Sequence, residues 1–422
     1  MLFTRLFNKS HEILWIAFGQ IMVAVGGLVG IKLLTRYLSP HEYGELGIGM
    51  AVVALVNQIV FWPLSSGATR YYSVSQASTD SGAYLNSIGR LLMYAVTFVI
   101  FLLCLSLLFV NLLKLRTDWL YIAAIAFYAA ASGCASIYAG ILNASQARRA
   151  LAVSQSLETW GRFLFATLLL IIIEKTSSIA IFAFAIISTT TLFWQYWRVN
   201  KNTANVDSQP IKIVEWKSII LKYATPFAVI GLFTGIGTAS DRMVLNHYTS
   251  SNEVGLYVVL YQLGFYPMVM ILAVMAQYFE PIIYRKAEQD CNSKNPSSSN
   301  AMINTMVLGS ITLTATATLT AYLGCEIIFT IFTDKSYHSA AIYLPIVVAS
   351  GGLLATGNAL AIKIQASKLS SRLLFPKVAM SICAVLFNIV GANIDGLRGV
   401  VLAGLASSIV YLALTYIATK RL

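Results

Sequence analysis

The chain has 422 residues, of which 58% are hydrophobic and only 11% are charged. Soluble domains carry about 25% charged residues, so this composition excludes a soluble globular protein and indicates a membrane protein. The formal net charge of +12 is interpreted as loop charge facing anionic lipid, and no nucleic-acid partner is expected.

Apolar runs long enough to cross a bilayer recur along the whole chain. A membrane-crossing helix needs about 20 apolar residues, whereas a transmembrane barrel shows stretches of about 10 alternating residues. The sequence therefore predicts an all-α integral membrane protein with twelve transmembrane helices. The predicted spans lie near residues 12–34, 43–66, 85–110, 119–142, 155–173, 178–197, 218–244, 254–278, 302–331, 340–366, 375–392 and 398–418.

The first run follows basic residues and could pass for a signal peptide. It continues for about 22 residues without an early small-residue cleavage site, so it is interpreted as an uncleaved first helix. Counted over alternate loops, 21 of the 29 Lys and Arg residues fall on the side of the two termini and 8 on the other. The positive-inside rule then predicts that both termini are cytoplasmic.

A polar connector at residues 198–217 divides the spans six and six. We therefore expect an N-terminal lobe at 1–197 and a C-terminal lobe at 218–422. A short turn supports the division: LTRYLSPHEYG at 34–44 and LNHYTSSNEVG at 245–255 share five residues at an offset of 211, half of the chain. Such a repeat predicts two pseudo-symmetric, parallel six-helix lobes, although a searched offset can also match by coincidence.

The matched residues of the turn have a structural task in common. Ser39 with Glu42, and Ser250 with Glu253, have the spacing of capping boxes that begin a helix at the outer surface. Stripes of small residues also follow two spans, at Ser132, Ser136, Gly140 and Ala144 and at Thr312, Thr316 and Thr320. Both stripes predict close helix packing.

Polar side chains inside the spans are candidate functional positions, because a charge at the helix centre costs about 2.5–3.5 kcal/mol. For Arg90, Arg162 and Lys363 the alternatives are snorkelling to the inner headgroups and lining an aqueous cavity. For Asp241 and Arg242 they are an ion pair at the outer surface and a role in substrate or proton handling. The remaining polar candidates are Lys32, Arg36, Asn57, Gln58, Glu158, Tyr257, Tyr261 and Gln262.

Motifs of catalysis are not found in the sequence. It has no Gly-rich phosphate loop, no HExxH and no nucleophile elbow, and its five cysteines are scattered without metal-ligand spacing. We therefore expect a transporter and not an enzyme, without a metal or cofactor.

The stretch WIAFGQIMVAVGGLVGIKLLTRYLSPHEYGELGIGMAVVALV resembles the polysaccharide transport family, the Wzx-type O-antigen flippases of the multidrug/oligosaccharidyl-lipid/polysaccharide (MOP) superfamily. SDRMVLNHYTSSNEVGLYVVLYQL is similar to the family's corresponding segment in the second half. The resemblance implies a V-shaped pair of six-helix lobes, as in the related MATE transporters. It also implies a flippase that moves an undecaprenyl-pyrophosphate-linked oligosaccharide from the cytoplasmic to the outer leaflet of the bacterial inner membrane by alternating access.

The same resemblance implies a cationic central cavity between spans 1, 2, 7 and 8. The residues expected to bind substrate there are Lys32, Arg36, Asn57, Gln58, Arg90, Arg162, Arg242, Tyr257, Tyr261, Gln262 and Lys363. Asp241 and Glu158 are the candidates for coupling to H⁺ or Na⁺. The expected partners are the lipid-linked oligosaccharide, membrane lipids, and the polymerase and chain-length proteins of the same pathway.

Two alternatives stay open. A cation-coupled drug antiporter of the same superfamily predicts an acid-rich, aromatic cavity, whereas the span interiors here hold more Lys and Arg than Asp and Glu. An integral-membrane polysaccharide polymerase or ligase predicts a large outer loop, whereas the outer loops here have about a dozen residues or fewer.

Overall fold

The computed structural model describes residues 2–77, 80–112, 118–203, 215–293, 297–367 and 370–420. In these ranges the chain forms helices joined by short connections, and the predicted all-helical class is confirmed. The α-helices are α1 (Leu2–Tyr37), α2 (Pro40–Val56), α3 (Trp62–Ala77), α4 (Ser81–Leu112), α5 (Trp119–Ala144), α6 (Arg148–Ile172), α7 (Ser177–Thr203), α8 (Trp216–Tyr248), α9 (Ser251–Leu260), α10 (Tyr266–Ser293), α11 (Ser297–Phe332), α12 (Leu344–Ala366) and α13 (Leu374–Lys420).

Four shorter helical segments complete the described part of the chain. π-helical turns join α2 to α3 (Asn57–Phe61) and α9 to α10 (Tyr261–Phe265). 3₁₀-helices precede α12 (Lys335–Tyr343) and α13 (Ser370–Leu373). The pattern of the sequence does not indicate the π-helical turns.

Ten helices in the described ranges are long and apolar enough to cross a membrane, against the twelve predicted spans. The predicted span at 155–173 forms α6, which is not among the ten because Glu158 and Arg162 lower its mean hydropathy. The last two predicted spans form α13, whose backbone leaves helical geometry at Asp395 and Gly396. The number twelve therefore stays a prediction, while the chain is a multi-pass membrane protein.

The chain divides into two compact units. The first comprises Met1–Leu38 and Gly49–Gly235, and the second comprises Ser39–Ile48 and Ile236–Leu422. These units differ from the predicted lobes in segment 39–48, the start of α2, and in segment 218–235, the first half of α8. Residues 204–214 of the predicted connector lie outside the described residues.

Within the first unit, α1 packs on α6 through glycines. Cβ atoms added to Gly26 and Gly30 would lie 2.9 Å from Trp160 Nε1 and 2.3 Å from the Phe163 ring. The Trp160 indole donates a hydrogen bond to the Met22 carbonyl, at 3.0 Å. Close approach of helix backbones through small residues is typical of helix packing in membranes.

The first half of α8 is fixed to the first unit by polar contacts. The buried Trp216 indole donates to Asp80 Oδ2 at 2.8 Å, and Asp80 is itself buried. Further along α8, a Cβ on Gly231 would lie 2.2 Å from the carbonyl oxygen of Gln58. The indole and the glycine together explain why the start of this helix belongs with residues of the N-terminal half.

One of the two predicted packing stripes is confirmed. On α5, a Cβ added to Gly140 would lie 2.6 Å from Thr69 Oγ1, and the Ser136 carbonyl accepts a hydrogen bond from Ser65. This stripe therefore faces α3. The prediction for α11 is wrong, because Thr312, Thr316 and Thr320 are exposed. Each of these hydroxyls donates to a carbonyl of its own helix, which satisfies it without a partner helix.

Within the second unit, the two copies of the repeated turn contact each other. A Cβ on Gly44 would lie 1.8 Å from the carbonyl oxygen of Ser251, and a Cβ on Gly255 would lie 2.0 Å from that of Pro40. Pro40 and Ser251 are themselves equivalent at the offset of 211. Exchanging the two copies of the turn therefore exchanges the two contacts, as a local two-fold axis between α2 and α9 requires.

The capping prediction is confirmed for the first copy only. The amide of Glu42 donates to Ser39 Oγ at 3.3 Å. Ser250 makes no side-chain cap to α9, so the second box is wrong. Instead, the Glu253 carboxylate accepts from the amide of Leu397 at 2.9 Å, next to the break in α13 where Gly396 has φ +49°. Glu253 thus caps another helix and not its own.

Candidate functional site

Asp241 and Arg242, adjacent on α8, lie in the interior of the second unit. Their side chains are 7% and 8% exposed, so the interpretation as an ion pair at the outer surface is wrong. The Tyr257 hydroxyl donates to Asp241 Oδ2 at 2.9 Å, and the amide of Arg242 donates to Asp241 Oδ1 at 2.7 Å. Both carboxylate oxygens therefore have a donor.

The guanidinium of Arg242 has a different environment. It lies over the ring of Tyr261, 5.1 Å from the centroid, in a cation–π contact. Its Nε is buried and has no hydrogen-bond partner among the described residues. A buried polar group without a hydrogen-bond partner is costly in a protein interior, and more so in a membrane protein.

Aromatic side chains hold the Tyr261 ring in place. Tyr261 stacks on Phe265 with centroids 4.3 Å apart, and Tyr266 meets its edge at 4.9 Å. Tyr257, one turn earlier, is 5.9 Å away. The surface beneath Arg242 is therefore fixed by packing.

Gln262 follows Tyr261 in the π-helical turn and is held from α2. The hydroxyl of Tyr43 donates to Gln262 Oε1 at 2.6 Å. Tyr43 is 1% exposed and is met edge-on by Tyr337 at 5.8 Å. The second unit thus brings together five of the predicted residues: Asp241, Arg242, Tyr257, Tyr261 and Gln262.

A second charged cluster lies in the first unit. Arg162 donates from Nη1 to the hydroxyl of Tyr128, and its guanidinium is 5.8 Å from the centroid of Phe184. Glu158, one turn earlier on α6, accepts from Ser188 at 3.0 Å. Arg162 is thus held inside its unit by a buried tyrosine, which favours neither of the alternatives drawn from the sequence.

Asn57 and Gln58 lie in the π-helical turn of the first unit. Asn57 Nδ2 donates to Ser132 at 3.0 Å, while its Oδ1 is buried and has no partner among the described residues. Gln58 Nε2 donates to Thr234 on α8 at 3.2 Å. Four predicted polar residues, two in each unit, thus occur in π-helical turns, which are frequent at functional sites.

The other predicted cations are more accessible than Arg242. Arg36 and Arg90 are exposed, and Lys32 and Lys363 are half-buried. Within the described ranges, no three His, Cys, Asp or Glu residues are placed to hold a metal ion.

Two tyrosines of these clusters were missed in the sequence. Tyr43, in the repeated turn, and Tyr128, in the fourth predicted span, are not among the candidates drawn from the sequence. The available signal was that each tyrosine brings a hydroxyl into an apolar run, where it needs a partner.

Comparison with known proteins agrees with this architecture. The sequence profile of the family described as "Polysaccharide biosynthesis protein" matches residues 11–285. The chain belongs to this family. No curated protein matches the chain significantly.

Several solved structures share the fold. The lipid II flippase MurJ in an inward closed conformation is 14% identical and superposes with a TM-score of 0.74, over 97% of this chain and 87% of that one. An inward-facing multidrug resistance MATE family transporter of the MOP superfamily is 13% identical, with a TM-score of 0.68 over 97% and 98%. The MATE transporter VcmN of Vibrio cholerae, in a bent form, is 13% identical, with a TM-score of 0.59 over 97% and 98%. The fold of this polysaccharide biosynthesis protein is therefore that of MOP-superfamily transporters.

Proposed function

We propose that this family member is a flippase that translocates an undecaprenyl-pyrophosphate-linked oligosaccharide, such as an O-antigen repeat unit, from the cytoplasmic to the periplasmic leaflet. Membership in a polysaccharide biosynthesis family supports the substrate class. The fold shared with a lipid II flippase supports the transport of a lipid-linked saccharide. In this proposal the protein resides in the bacterial inner membrane with both termini in the cytoplasm.

The observation that carries the proposal is the buried Nε of Arg242, which has no hydrogen-bond partner among the described residues. A cation 8% exposed on a membrane-spanning helix is costly unless an anion compensates it. Among the described residues, the Asp241 carboxylate accepts from Tyr257 and a backbone amide and makes no hydrogen bond to the Arg242 guanidinium. A diphosphate supplies the missing acceptors, and Arg binds phosphate oxygens through charge-assisted hydrogen bonds.

The saccharide needs a different environment. Its hydroxyls would lose their hydrogen bonds in hydrocarbon, so a polar path must replace water. In the first unit, Asn57 Oδ1 is a buried acceptor without a partner, suited to a sugar hydroxyl. Gln58, Tyr257 and Tyr261 are further sugar contacts in this proposal.

The remaining predicted cations act in turn as the diphosphate moves. These residues are Lys32, Arg36, Arg90, Arg162 and Lys363. Alternating access carries the headgroup across, and the inside-negative potential favours outward movement of an anion by about 2.3 kcal/mol per charge per 100 mV. Asp241 and Glu158 are the proposed groups for H⁺ or Na⁺ coupling, and the polymerase and chain-length proteins are the proposed downstream partners.

Complementation of a flippase-deficient strain tests the proposal. Arg242→Gln should reduce surface polysaccharide at least tenfold at equal protein level, because charge-assisted hydrogen bonds contribute about 1.5–3 kcal/mol each. Arg398→Gln is the matched control, since Arg398 is 61% exposed and pairs with Asp395 at the surface. Wild-type polysaccharide display by Arg242→Gln would contradict the proposal.

A cation-coupled drug antiporter is the second candidate, and its support is the fold shared with multidrug MATE transporters. The two functions differ in a simple readout. A flippase leaves drug susceptibility unchanged and restores polysaccharide in the deficient strain. An antiporter raises the minimal inhibitory concentration of cationic drugs and does not restore polysaccharide.

A further inference from the structure

The hydrogen bond between Tyr43 and Gln262 joins two segments 219 residues apart in sequence. Tyr43 lies on α2, within the repeated turn, and Gln262 lies in the π-helical turn after α9. The tyrosine ring is fully enclosed, with Tyr337, itself 0% exposed, against it. The hydroxyl therefore has little freedom to turn away from its acceptor.

This hydrogen bond decides which end of the Gln262 amide is available. A glutamine amide has one acceptor end and one donor end. The acceptor, Oε1, is occupied by the Tyr43 hydroxyl at 2.6 Å, so the Nε2 hydrogens remain to be offered to a ligand. An amide oriented in this way presents its N–H hydrogens to a ligand, which suits an anion.

Arg242 belongs to the same cluster. Its guanidinium lies over Tyr261, the residue before Gln262, and its charge interacts with the Tyr43 hydroxyl. The Arg242 charge and the Gln262 amide thus both lie near the Tyr43 hydroxyl. An anion bound by Arg242 gains a second, uncharged donor from Gln262.

We propose that Tyr43 is a positioning residue that holds Gln262 as a hydrogen-bond donor and so makes the Arg242 site selective for a phosphate-bearing lipid over its neutral alcohol. The inference rests on the proposed function, because it takes a diphosphate as the anion that Arg242 receives. Tyr43 itself does not touch the substrate. Its hydroxyl acts only through the orientation of the amide.

Lipid binding to the purified full-length protein in nanodiscs tests the inference. The probes are undecaprenyl diphosphate and its neutral match, undecaprenol. Tyr43→Phe should weaken diphosphate binding about three- to tenfold, as expected for one hydrogen bond, and leave undecaprenol binding unchanged. Tyr322→Phe is the matched control, because Tyr322 is 70% exposed on α11.

A double-mutant cycle separates positioning from a general loss of structure. Gln262→Leu removes the donor itself, so Tyr43→Phe added to it should cause no further loss of diphosphate binding. Gln262→Glu should bind diphosphate more weakly than Gln262→Leu, because it adds a negative charge. Thermal melting of each variant checks that the protein is folded, and Gln262→Leu tests the same contact if Tyr43→Phe does not fold.

The outcomes distinguish the two proposals. If Arg242→Gln abolishes the preference for diphosphate but Tyr43→Phe binds as wild type, or if the losses from Tyr43→Phe and Gln262→Leu add, the positioning role is wrong and the proposed function stands. If the wild-type protein does not prefer the diphosphate to undecaprenol, the proposed substrate is wrong and the positioning role falls with it.

Discussion

At the scale of single residues, the adjacent and oppositely charged side chains of Asp241 and Arg242 contact different partners. The short connection along the backbone lets Asp241 accept the amide of Arg242, while its second oxygen is taken by Tyr257. The arginine side chain turns to the face of Tyr261. The sequence shows the two charges side by side, but only the positions of the two tyrosines decide that they do not neutralise each other by side-chain hydrogen bonds.

Tyr257→Phe tests this division at the residue that satisfies the carboxylate. We expect a loss of about 1–3 kcal/mol in unfolding free energy, because a buried acceptor loses its donor. Thermal or denaturant unfolding in detergent measures it. Adding Asp241→Asn should recover part of the loss, whereas an unfolding curve of Tyr257→Phe identical to that of the exposed control Tyr322→Phe would refute the assignment.

At the scale of elements, the crossing of α2 and α9 depends on the absence of side chains. Gly44 and Gly255 place each helix start against a carbonyl of the other, at the equivalent residues Ser251 and Pro40. Glycines also pack against backbone carbonyls of the π-helical turns. Gly231 lies on the carbonyl of Gln58, and Gly351 of α12 lies on that of Phe265, with Cβ distances of 2.2 and 2.8 Å.

Gly44→Ala and Gly255→Ala should therefore each destabilise the protein. An added methyl would lie 1.8 or 2.0 Å from a backbone oxygen, so the two helix starts must separate, at a cost of about 1–3 kcal/mol. The melting temperature in detergent is the measurement. Gly309→Ala is the control, because its Cβ meets nothing within 4 Å and alanine is favoured in helices; equal melting of all three variants would show that the crossing is loose.

The π-helical turns and the second helix cap were not accessible from the sequence. A π-helical turn has no composition of its own, and Asn57, Gln58, Tyr261 and Gln262 were recognised only as polar residues in apolar runs. Ser250 and Glu253 have the spacing of a capping box. The Glu253 carboxylate instead accepts a hydrogen bond from the amide of Leu397, at the break in α13. A local pattern cannot reveal a competing donor 144 residues away.

At the scale of the whole molecule, composition and charge determine that the chain lies in a membrane and favour one orientation. Apolar runs place the chain in the bilayer, and the asymmetry of Lys and Arg predicts which loops stay on the cytoplasmic side. Both properties are sums over many residues. They are therefore insensitive to the details of packing that decide the sites.

Labelling in intact cells tests the proposed orientation. In a variant whose five cysteines are replaced by alanine, a cysteine at Lys335 should react with a membrane-impermeant maleimide. A cysteine at Lys201, also exposed and on the predicted cytoplasmic side, should react only after permeabilisation. The reverse pattern would invert the topology.

The sequence by itself determined the all-helical membrane class and the repeated turn, and it placed five residues of the buried cluster in the second unit among a longer set of candidates. The reason is that hydropathy, repeats and polar residues within apolar runs are properties of the linear sequence. Only the tertiary structure decided that Arg242 Nε has no hydrogen-bond partner among the described residues, that Tyr43 donates to Gln262, and that Gly44 meets Ser251. The physical reason is that hydrogen bonds and close backbone contacts depend on which distant residues arrive at a distance of about 3 Å, and linear spacing does not specify that.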